Sequence, residues 1–176
     1  MRIRRAELVD LNVCMDMDRS YSTDYVWQVE ERSRSGEISV TFRTVRLPRT
    51  AQIRVPRLET GLLTCWQQDE CFVVAENDGQ ILGFLNMPVV PSEPVARIRH
   101  LVVDAPHRRK GVGSALLTSV AAWARDQGVS GIVAETETNN HPAISFLQRQ
   151  GFAFCGYSDQ LAVNQGIRLF FILPLR

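Results

Sequence analysis

One stretch, residues 96–128, constrains the fold and the function of this 176-residue chain more than any other. Its first part, residues 97–103, has the branched apolar content of a β-strand, and Asp104, Ala105 and Pro106 end that strand. A turn with the pattern Arg-x-x-Gly-x-Gly follows and leads into an amphipathic helix. Because the first amides of a helix have no intrahelical partner and the helix dipole favours negative charge, this turn predicts an anion-binding site.

The spacing within residues 108–113 limits the type of anion site. A P-loop needs four residues between its glycines followed by Lys-Ser/Thr, and a dinucleotide fingerprint needs Gly-x-Gly-x-x-Gly, so neither pattern fits. The stretch resembles the pyrophosphate-binding loop of the GNAT superfamily, the acyl-coenzyme-A-dependent N-acyltransferases. Gly111 and Gly113 lack the Cβ atoms that would keep an anion away from the amides. The alternative is a solvated basic turn at the start of an ordinary helix.

A second block, residues 135–152, combines an acid, the pattern Asn-x-Pro-Ala-Ile and a final Gly-Phe. Asn140 is suited to cap a helix that has Pro142 in its first turn and Gly151 just past its end. The block resembles the second conserved block of GNAT proteins, in which the matching asparagine and the following helix contact the coenzyme A arm. Two such blocks in this order occur by chance much less often than one.

The remaining elements follow the same superfamily order. Period-two and helical patterns predict strands at residues 1–6, 21–30, 37–47, 71–76, 81–90, 97–103, 131–136, 152–157 and 168–173, and helices at residues 7–17, at residues 57–68, before Gly128 and before Gly151. We therefore expect a single α/β (α+β) domain over residues 1–176 with the GNAT fold. Its mixed, mostly antiparallel sheet of about six or seven strands would splay near residues 97–103, with about four helices around it.

The composition argues against several other classes of protein. A formal charge of +1 gives no general attraction to nucleic acid or to anionic membranes. No apolar run approaches membrane-spanning length, and the N-terminus has no apolar signal core. The four cysteines lack paired metal-ligand spacing and are typical of reduced thiols. We expect a cytoplasmic monomer or homodimer that binds no metal, no nucleic acid and no membrane.

The resemblance implies acetyl-CoA as the cosubstrate and direct attack of a primary amine on its thioester. In the superfamily a bulged strand exposes backbone amides beside the thioester, and by position these belong to Leu101, for the thioester oxygen, and Val103, for the pantetheine arm. The expected cofactor-binding residues are Leu101, Val102, Val103, Arg108, Arg109, Lys110, Gly111, Val112, Gly113, Ser114, Asn140, Ala143 and Phe146.

The expected general base departs from the superfamily pattern. Members commonly have an acid or a histidine at positions that match Arg97 or Arg99, and arginine cannot act as a base because its pKa exceeds about 12. His100 has a suitable pKa, but strand alternation turns it to the opposite face unless a bulge redirects it. Glu135 and Glu137, at the end of the adjoining strand, are alternatives that would act through water.

The general acid departs from the pattern as well. Many members have a tyrosine at the position that matches Leu147, and leucine cannot donate a proton. Tyr157 is the nearest tyrosine in the sequence, and the alternative for it is a packed residue at the sheet edge. These departures leave open a module that binds acyl-CoA without catalysis.

The N-terminal region gives a narrower resemblance. Residues 18–29, followed by residues 42–43 and 47–48, look like the N-terminal region of streptothricin acetyltransferases, which acetylate a primary amine of an antibiotic. A small-molecule amine is therefore the expected acceptor, and a protein N-terminus or lysine is the alternative. Tyr25 and Trp27 are the substrate-binding candidates in this region, unless they pack on the core.

Arg97 and Arg99 are the other substrate-binding candidates, because alternation places them on one face. Two positive charges in a partly buried cleft disfavour a polycationic acceptor. We therefore expect the acceptor to carry a carboxylate or phosphate beside its amine, unless the two arginines are salt-bridged and structural.

Overall fold

The computed structural model describes residues 1–56, 58, 61–68, 71–90, 92–159 and 166–175. Over these residues the chain forms ten strand segments, four α-helices and a short 3-10 turn at Ala105–His107. In chain order the elements are β1 (Arg2–Arg5), α1 (Asp10–Asp16), β2 (Tyr21–Arg34), β3 (Glu37–Ile53), α2 (Leu62–Gln67), β4 (Cys71–Asn77), β5 (Gln80–Met87), β6 (Val95–Arg97), β7 (His100–Val103), α3 (Val112–Asp126), β8 (Gly131–Glu137), α4 (His141–Arg149), β9 (Ala153–Ser158) and β10 (Arg168–Pro174).

The strands form two four-stranded sheets and one separate hairpin, β2–β3. The first sheet has the order β1-β4-β5-β7 and is antiparallel throughout. The second has the order β6-β8-β10-β9, in which only β6 and β8 are parallel. The predicted mixed, mostly antiparallel architecture is confirmed.

The strand predicted at residues 97–103 is divided between the two sheets. The Ile98 amide donates to the Val133 carbonyl of β8 at 2.8 Å, whereas the Arg99 amide donates to the Asn86 carbonyl of β5 at 2.9 Å. The chain therefore leaves one sheet and enters the other between two consecutive residues. The prediction of one continuous strand was wrong. The two sheets separate where the chain changes from one to the other, which is where the splay was predicted.

Helix α3 packs on both sheets and holds them together. Its buried residues Leu116 and Val120 share one core cluster with Leu85 of β5 and Ile132 of β8. Complete burial of such a side chain contributes about 1.5–3 kcal/mol, so this helix fixes how the sheets diverge. The opposite face of the first sheet, represented by Phe84, packs in a second cluster with α1 and α2.

The hairpin is longer than its sequence predicted. The register continues to the pair Arg34–Glu37, and Gly36 adopts a φ of 80° in the two-residue turn. The predicted turn at residues 32–36 was too long, because charged residues near the tip hide the strand pattern. Cross-strand pairing with little burial still extends β2 and β3 to 14 and 17 residues.

Helix α2 is shorter than the predicted helix at residues 57–68. It begins after Gly61, which adopts a φ of 108°, a conformation that favours glycine and lies outside an α-helix. Leu58 is outside the helix, and Arg57, Glu59 and Thr60 lie outside the described residues.

Candidate active site

The N-terminus of α3 is an exposed, basic turn. Arg109 and Gly111 both have positive φ, 63° and 84°, and Arg109, Lys110 and Gly111 are exposed. The first intrahelical bond runs from the Ala115 amide to the Gly111 carbonyl at 3.0 Å. Within the described chain no side chain caps this end, so the amides of residues 112–114 are available to an anion.

The structural reasons for glycine at positions 111 and 113 differ from the predicted one, which was to leave room for an anion. A Cβ on Gly111 would meet no atom within 4 Å, so its positive φ, not crowding, requires glycine. A Cβ on Gly113 would lie 3.2 Å from the Phe146 ring of α4. Gly113 therefore allows α4 to approach the first turn of α3, which brings both predicted cofactor-binding blocks together.

Arg108 ties the turn to two other parts of the chain. Its Nε donates to the Val103 carbonyl at 2.9 Å, and its Nη1 donates to the Ser20 carbonyl at 2.6 Å. Its Nη2 donates to the Asp18 carbonyl. The guanidinium therefore donates to three backbone carbonyls and positions the turn. This corrects the expectation that it supports the anion site directly.

The open edge of β7 lies beside this turn. The Asp104 amide donates to a carbonyl of β5 at 2.9 Å. Because every second residue of an antiparallel ladder bonds to the same neighbour, the Val102 amide also points to β5, and the amides of Leu101 and Val103 point away from it. The bond from Arg108 to the Val103 carbonyl lies on that outer edge. The sequence predicted these two amides as donors, and no strand of the described residues pairs with the edge on which they lie.

A β-bulge lies between Arg99 and His100, because both residues oppose Asn86 of β5: the Arg99 amide donates to its carbonyl, and His100 is its partner in the ladder. The Arg99 guanidinium donates to the Cys65 Sγ of α2 at 2.9 Å, and the His100 ring lies 6.4 Å from the Phe84 ring. Cys65 and Phe84 belong to the same cluster, on the α1 and α2 side of the sheet. Two consecutive side chains therefore share one face. His100 stands on the face opposite α3, which corrects the expectation from simple alternation.

Glu135 lies between two arginines on the second sheet. Its carboxylate is 3.4 Å from the Arg97 Nη1 and 3.4 Å from the Arg168 Nη1. Arg99 bonds to α2 instead, so the two predicted substrate-binding arginines have different partners. No sequence pattern identified Arg168, because its position beside Glu135 depends on the register between β10 and β8.

Asn140 and Tyr21 organise the start of α4. The Asn140 side chain accepts a bond from the Ala143 amide at 3.2 Å, which confirms its capping role. The Tyr21 hydroxyl donates to Asn139 at 2.9 Å. Burial, with the charge of Glu137 as the smaller cause, raises the pKa of Tyr21 to about 12, so this hydroxyl stays protonated at neutral pH.

Trp27 packs in the core instead of facing an open pocket. Its ring lies 5.8–6.0 Å from the rings of Phe42, Phe154 and Phe171, and its amide donates to the backbone after β8 at 2.9 Å. This aromatic cluster anchors the hairpin on the second sheet. Tyr25 is more exposed, and its ring stacks obliquely on His141 at 5.1 Å. The packing alternative therefore describes Trp27, and Tyr25 lies beside the N-terminus of α4.

Tyr157 is engaged with the hairpin. Its hydroxyl donates to Glu31 at 3.1 Å, and its ring packs edge-on against Phe42. Burial, followed by the bond to Glu31, raises the pKa of Tyr157. The geometry thus favours the packed sheet-edge alternative over a proton donor at the split between the sheets.

A surface cleft of about 570 Å³ lies away from this split. It is lined at the end of α1 and at the β4–β5 turn by residues that include Asp16, Asp78 and Asp104. Three carboxylates disfavour an anionic ligand there. The cleft does not belong to the site formed by α3 and β7.

The two sheets separate at the bulge, and among the described residues no strand pairs with the outer edge of β7 at that point. The uncapped N-terminus of α3 lies beside this edge. The arrangement agrees with the GNAT acyltransferase fold that the sequence resembles. The model of the Acetyltransferase (GNAT) family matches residues 40–152, and the chain belongs to that family.

Two curated relatives cover part of the chain. Human N-acetyltransferase 8 is 36% identical over 98 residues, which are 52% of this chain and 42% of that protein. Streptothricin acetyltransferase of Streptomyces lavendulae is 34% identical over 90 residues, which are 51% of this chain and 48% of that protein. The chain thus spans about half the length of the curated relatives it matches.

Solved structures match over almost the whole chain. The crystal structure of nourseothricin acetyltransferase has a TM-score of 0.84 and 26% identity, over 99% of this chain and 98% of that one. A Bacillus anthracis protein crystallised in complex with acetyl coenzyme A has a TM-score of 0.78 and 22% identity over 98% of both chains. In the part of our chain that the structure describes, no helix has the length and apolar character needed to cross a membrane.

Proposed function

We propose that this protein is an acetyl-CoA-dependent N-acetyltransferase that acetylates a primary amine of a small molecule. The observation that carries the proposal is the adjacency of two binding elements, the uncapped N-terminus of α3 and the outer edge of β7. Arg108 joins them through the Val103 carbonyl at 2.9 Å. Membership of an acetyltransferase family supports the same conclusion.

The residues of this site fit the cosubstrate. The amides of residues 112–114 would hold the pyrophosphate, with the exposed side chains of Arg109 and Lys110 adding positive charge. The outward amides of Leu101 and Val103 would bind the acyl-pantetheine part. Acetyl-CoA supplies an acetyl group that is already activated as a thioester.

The chain's own groups then have two tasks in acyl transfer. The Leu101 amide stabilises negative charge on the thioester oxygen, as a preorganised donor does in an oxyanion hole. As the C–N bond forms and the C–S bond breaks, the amine must lose a proton. We assign that proton to His100, because its imidazole belongs to the residue that precedes Leu101 on β7.

The leaving thiolate needs no strong acid from the protein. A thiol has a pKa of about 8.5, so thiolate is a stable leaving group near neutral pH and takes its proton from water afterwards. The hydroxyls of Tyr21 and Tyr157 bond to Asn139 and Glu31. Leu147, at the position of the superfamily tyrosine, is buried in the core.

The degree of structural similarity supports a small amine as the acceptor. The nourseothricin acetyltransferase structure has a TM-score of 0.84, whereas the Escherichia coli ribosomal-protein-S18-alanine N-acetyltransferase, which also aligns with 99% of this chain, has a TM-score of 0.70. Streptothricin-like antibiotics therefore belong in the first acceptor panel. We place this activity in the cytoplasm, a location supported by four cysteines that form no disulfide.

Thiol release from acetyl-CoA across a panel of small amines and peptides tests the proposal. Ser114→Glu supplies the matched site variant, because glutamate in the first helical turn favours the helix yet places a carboxylate beside the pyrophosphate amides. Thr118→Glu, one turn further along at an exposed position, is the control. We expect the Ser114→Glu variant to remain folded and lose CoA binding by calorimetry, while the Thr118→Glu variant binds normally.

Two results would contradict the proposal. Unchanged CoA affinity in a folded Ser114→Glu variant would show that the cofactor does not bind at the N-terminus of α3. Binding of CoA without thiol release for any amine would favour the module that has lost catalysis.

A further inference from the structure

Two arginines share a single carboxylate at the open side of the second sheet. Arg97 of β6 and Arg168 of β10 each approach Glu135 through one nitrogen, at 3.4 Å. Charge-assisted hydrogen bonds are usually about 2.7–2.9 Å long, so both contacts are loose. Each guanidinium has five N–H donors, and only one of each contacts a carboxylate within the described residues.

An ion-pair cluster elsewhere in the protein has the opposite composition. Arg4 bonds to both Asp10 oxygens at 2.7 and 3.0 Å and to Glu76 at 2.5 Å, so one guanidinium is saturated by two carboxylates. Its side chain is 19% exposed, against 60% for Arg97 and 39% for Arg168. The Arg4 cluster has the geometry of a structural ion pair, which links β1 to α1 and β4. The Glu135 cluster has surplus positive charge and unused donors at the surface.

The position of this cluster relates it to acyl transfer. Ala134 of β8 packs in the core with α3, so alternation turns Glu135 to the opposite face, the side on which His100 stands in the first sheet. Glu135 also lies two residues beyond Val133, which makes the last hydrogen bond between β8 and the chain that crosses to β7. The cluster therefore borders the opening between the sheets.

Neighbouring charges do not cancel the surplus. Glu137 is opposite Arg168 in the ladder, but the two form no ion pair within 4.0 Å in the described part of the chain. Its charge acts on Tyr21, whose pKa it helps to raise. Burial raises the pKa of the Cys155 thiol of β9, and the charge of Arg97 lowers it by a smaller amount.

We propose that Arg97 and Arg168, which both contact Glu135, form a subsite for a carboxylate carried by the amine acceptor. The proposal rests on the N-acetyltransferase function and specifies its substrate class as amino acids and related amines that carry a carboxylate close to the amine. Such a carboxylate takes charge-assisted bonds from the unused donors of both guanidiniums. Arg168 replaces Arg99, which bonds to α2, as the second arginine of this subsite.

Acceptors in matched pairs test the subsite directly. Free amino acids and their carboxamides differ in one charge and little in size. The amine of the carboxamide has a lower pKa, but this difference is the same for every enzyme variant, so the change in the kcat/KM ratio on mutation isolates recognition of the carboxylate. We expect the unaltered enzyme to prefer the carboxylates. Arg97→Gln and Arg168→Gln should each reduce that preference by roughly tenfold, the effect of losing a hydrogen bond to a charged group. Arg43→Gln removes another exposed, ion-paired arginine from β3 and should leave the preference unchanged.

Glu135→Gln provides a result that a purely structural role would not produce. Removing the competing carboxylate should lower KM for carboxylate acceptors and leave KM for carboxamides unaffected. Loss of kcat for both members of a pair would instead make Glu135 part of the proton transfer, and this inference would be wrong.

The outcomes separate this inference from the function on which it rests. Acetylation of amines without preference for carboxylates, or efficient acetylation of polycationic streptothricin, would overturn the subsite and leave the N-acetyltransferase function intact. If no amine releases thiol from acetyl-CoA, the function itself fails and the subsite fails with it. Thermal midpoints close to that of the unaltered enzyme establish that the variants are folded.

Discussion

Gly83 of β5 determines how closely β7 approaches its neighbour. A Cβ at this position would lie 2.6 Å from the Val102 carbonyl oxygen and 3.1 Å from the Val103 Cα. Both atoms belong to the backbone, so no side-chain rotation relieves the contact. The Gly83→Ala change therefore forces β7 away from β5 by about 0.8 Å before the new methyl group reaches an ordinary distance.

Two effects of the Gly83→Ala change can be estimated. Overpacking of a buried position costs about 1–3 kcal/mol in the free energy of unfolding. In a protein of this size each kcal/mol lowers Tm by about 2–4 °C. The same movement displaces the Leu101 and Val103 amides, and a misplacement of about 1 Å in an active site reduces kcat/KM by as much as roughly 100-fold.

Urea denaturation, CoA calorimetry and thiol release measure these effects. Gly156→Ala is the matched control, since this strand glycine in β9 has 3.8 Å between a new Cβ and the nearest Phe170 atom. We expect the control to remain close to the unaltered protein in all three measurements. A Gly83→Ala variant that matched the control in stability and activity would refute the assignment of binding amides to β7.

The Arg4 cluster should make the stability of the protein depend on pH. Burial raises the pKa of Asp10, but the hydrogen bonds from Arg4 and from the Glu7 amide together have a larger effect. The pKa of Asp10 is therefore below its ordinary value. The stabilisation is thus present above about pH 4 and lost as the pH falls through the folded-state pKa. An Arg4→Gln change should cost about 1.5–3 kcal/mol at pH 7 in urea denaturation and progressively less under acid, and a deficit independent of pH would contradict this account. His100→Gln should lower kcat and remove the acidic limb of the pH profile, because the protonated imidazole of the unaltered enzyme cannot accept the proton at low pH. Tyr157→Phe should leave kcat unchanged, and a large loss of kcat in that variant would restore Tyr157 as the proton donor.

Much of the fold was predictable because the sequence patterns and the packing agree. The Asp78-Gly79 turn of the β4–β5 hairpin, the Asn140 cap of α4 and the glycine turn before α3 all have local chemistry that permits few conformations. The fold class and the adjacency of the two cofactor blocks followed from the order of these elements.

The candidate acceptor side was less predictable, because its geometry depends on register and not on local patterns. The bulge at Arg99 and His100 reverses the face of one side chain, and nothing in residues 97–103 marks the point where the chain changes sheets. The partner of Arg97 is on β8, and the second arginine, Arg168, is on β10. Pairs separated by 33 or more residues are fixed by tertiary packing alone.

The unpaired edge of β7 also bears on self-association. An edge strand at the border of a sheet presents donors and acceptors that invite pairing with another molecule, and proteins protect such edges by shortness or cover. β7 has only four residues, and its outer edge faces the gap toward the second sheet because β6, which continues into it, pairs with β8. A strand from another molecule would need to enter that gap, which α3 closes on one side. Within the described residues, this arrangement leaves the outer edge of β7 without a neighbouring strand while limiting its exposure to other molecules.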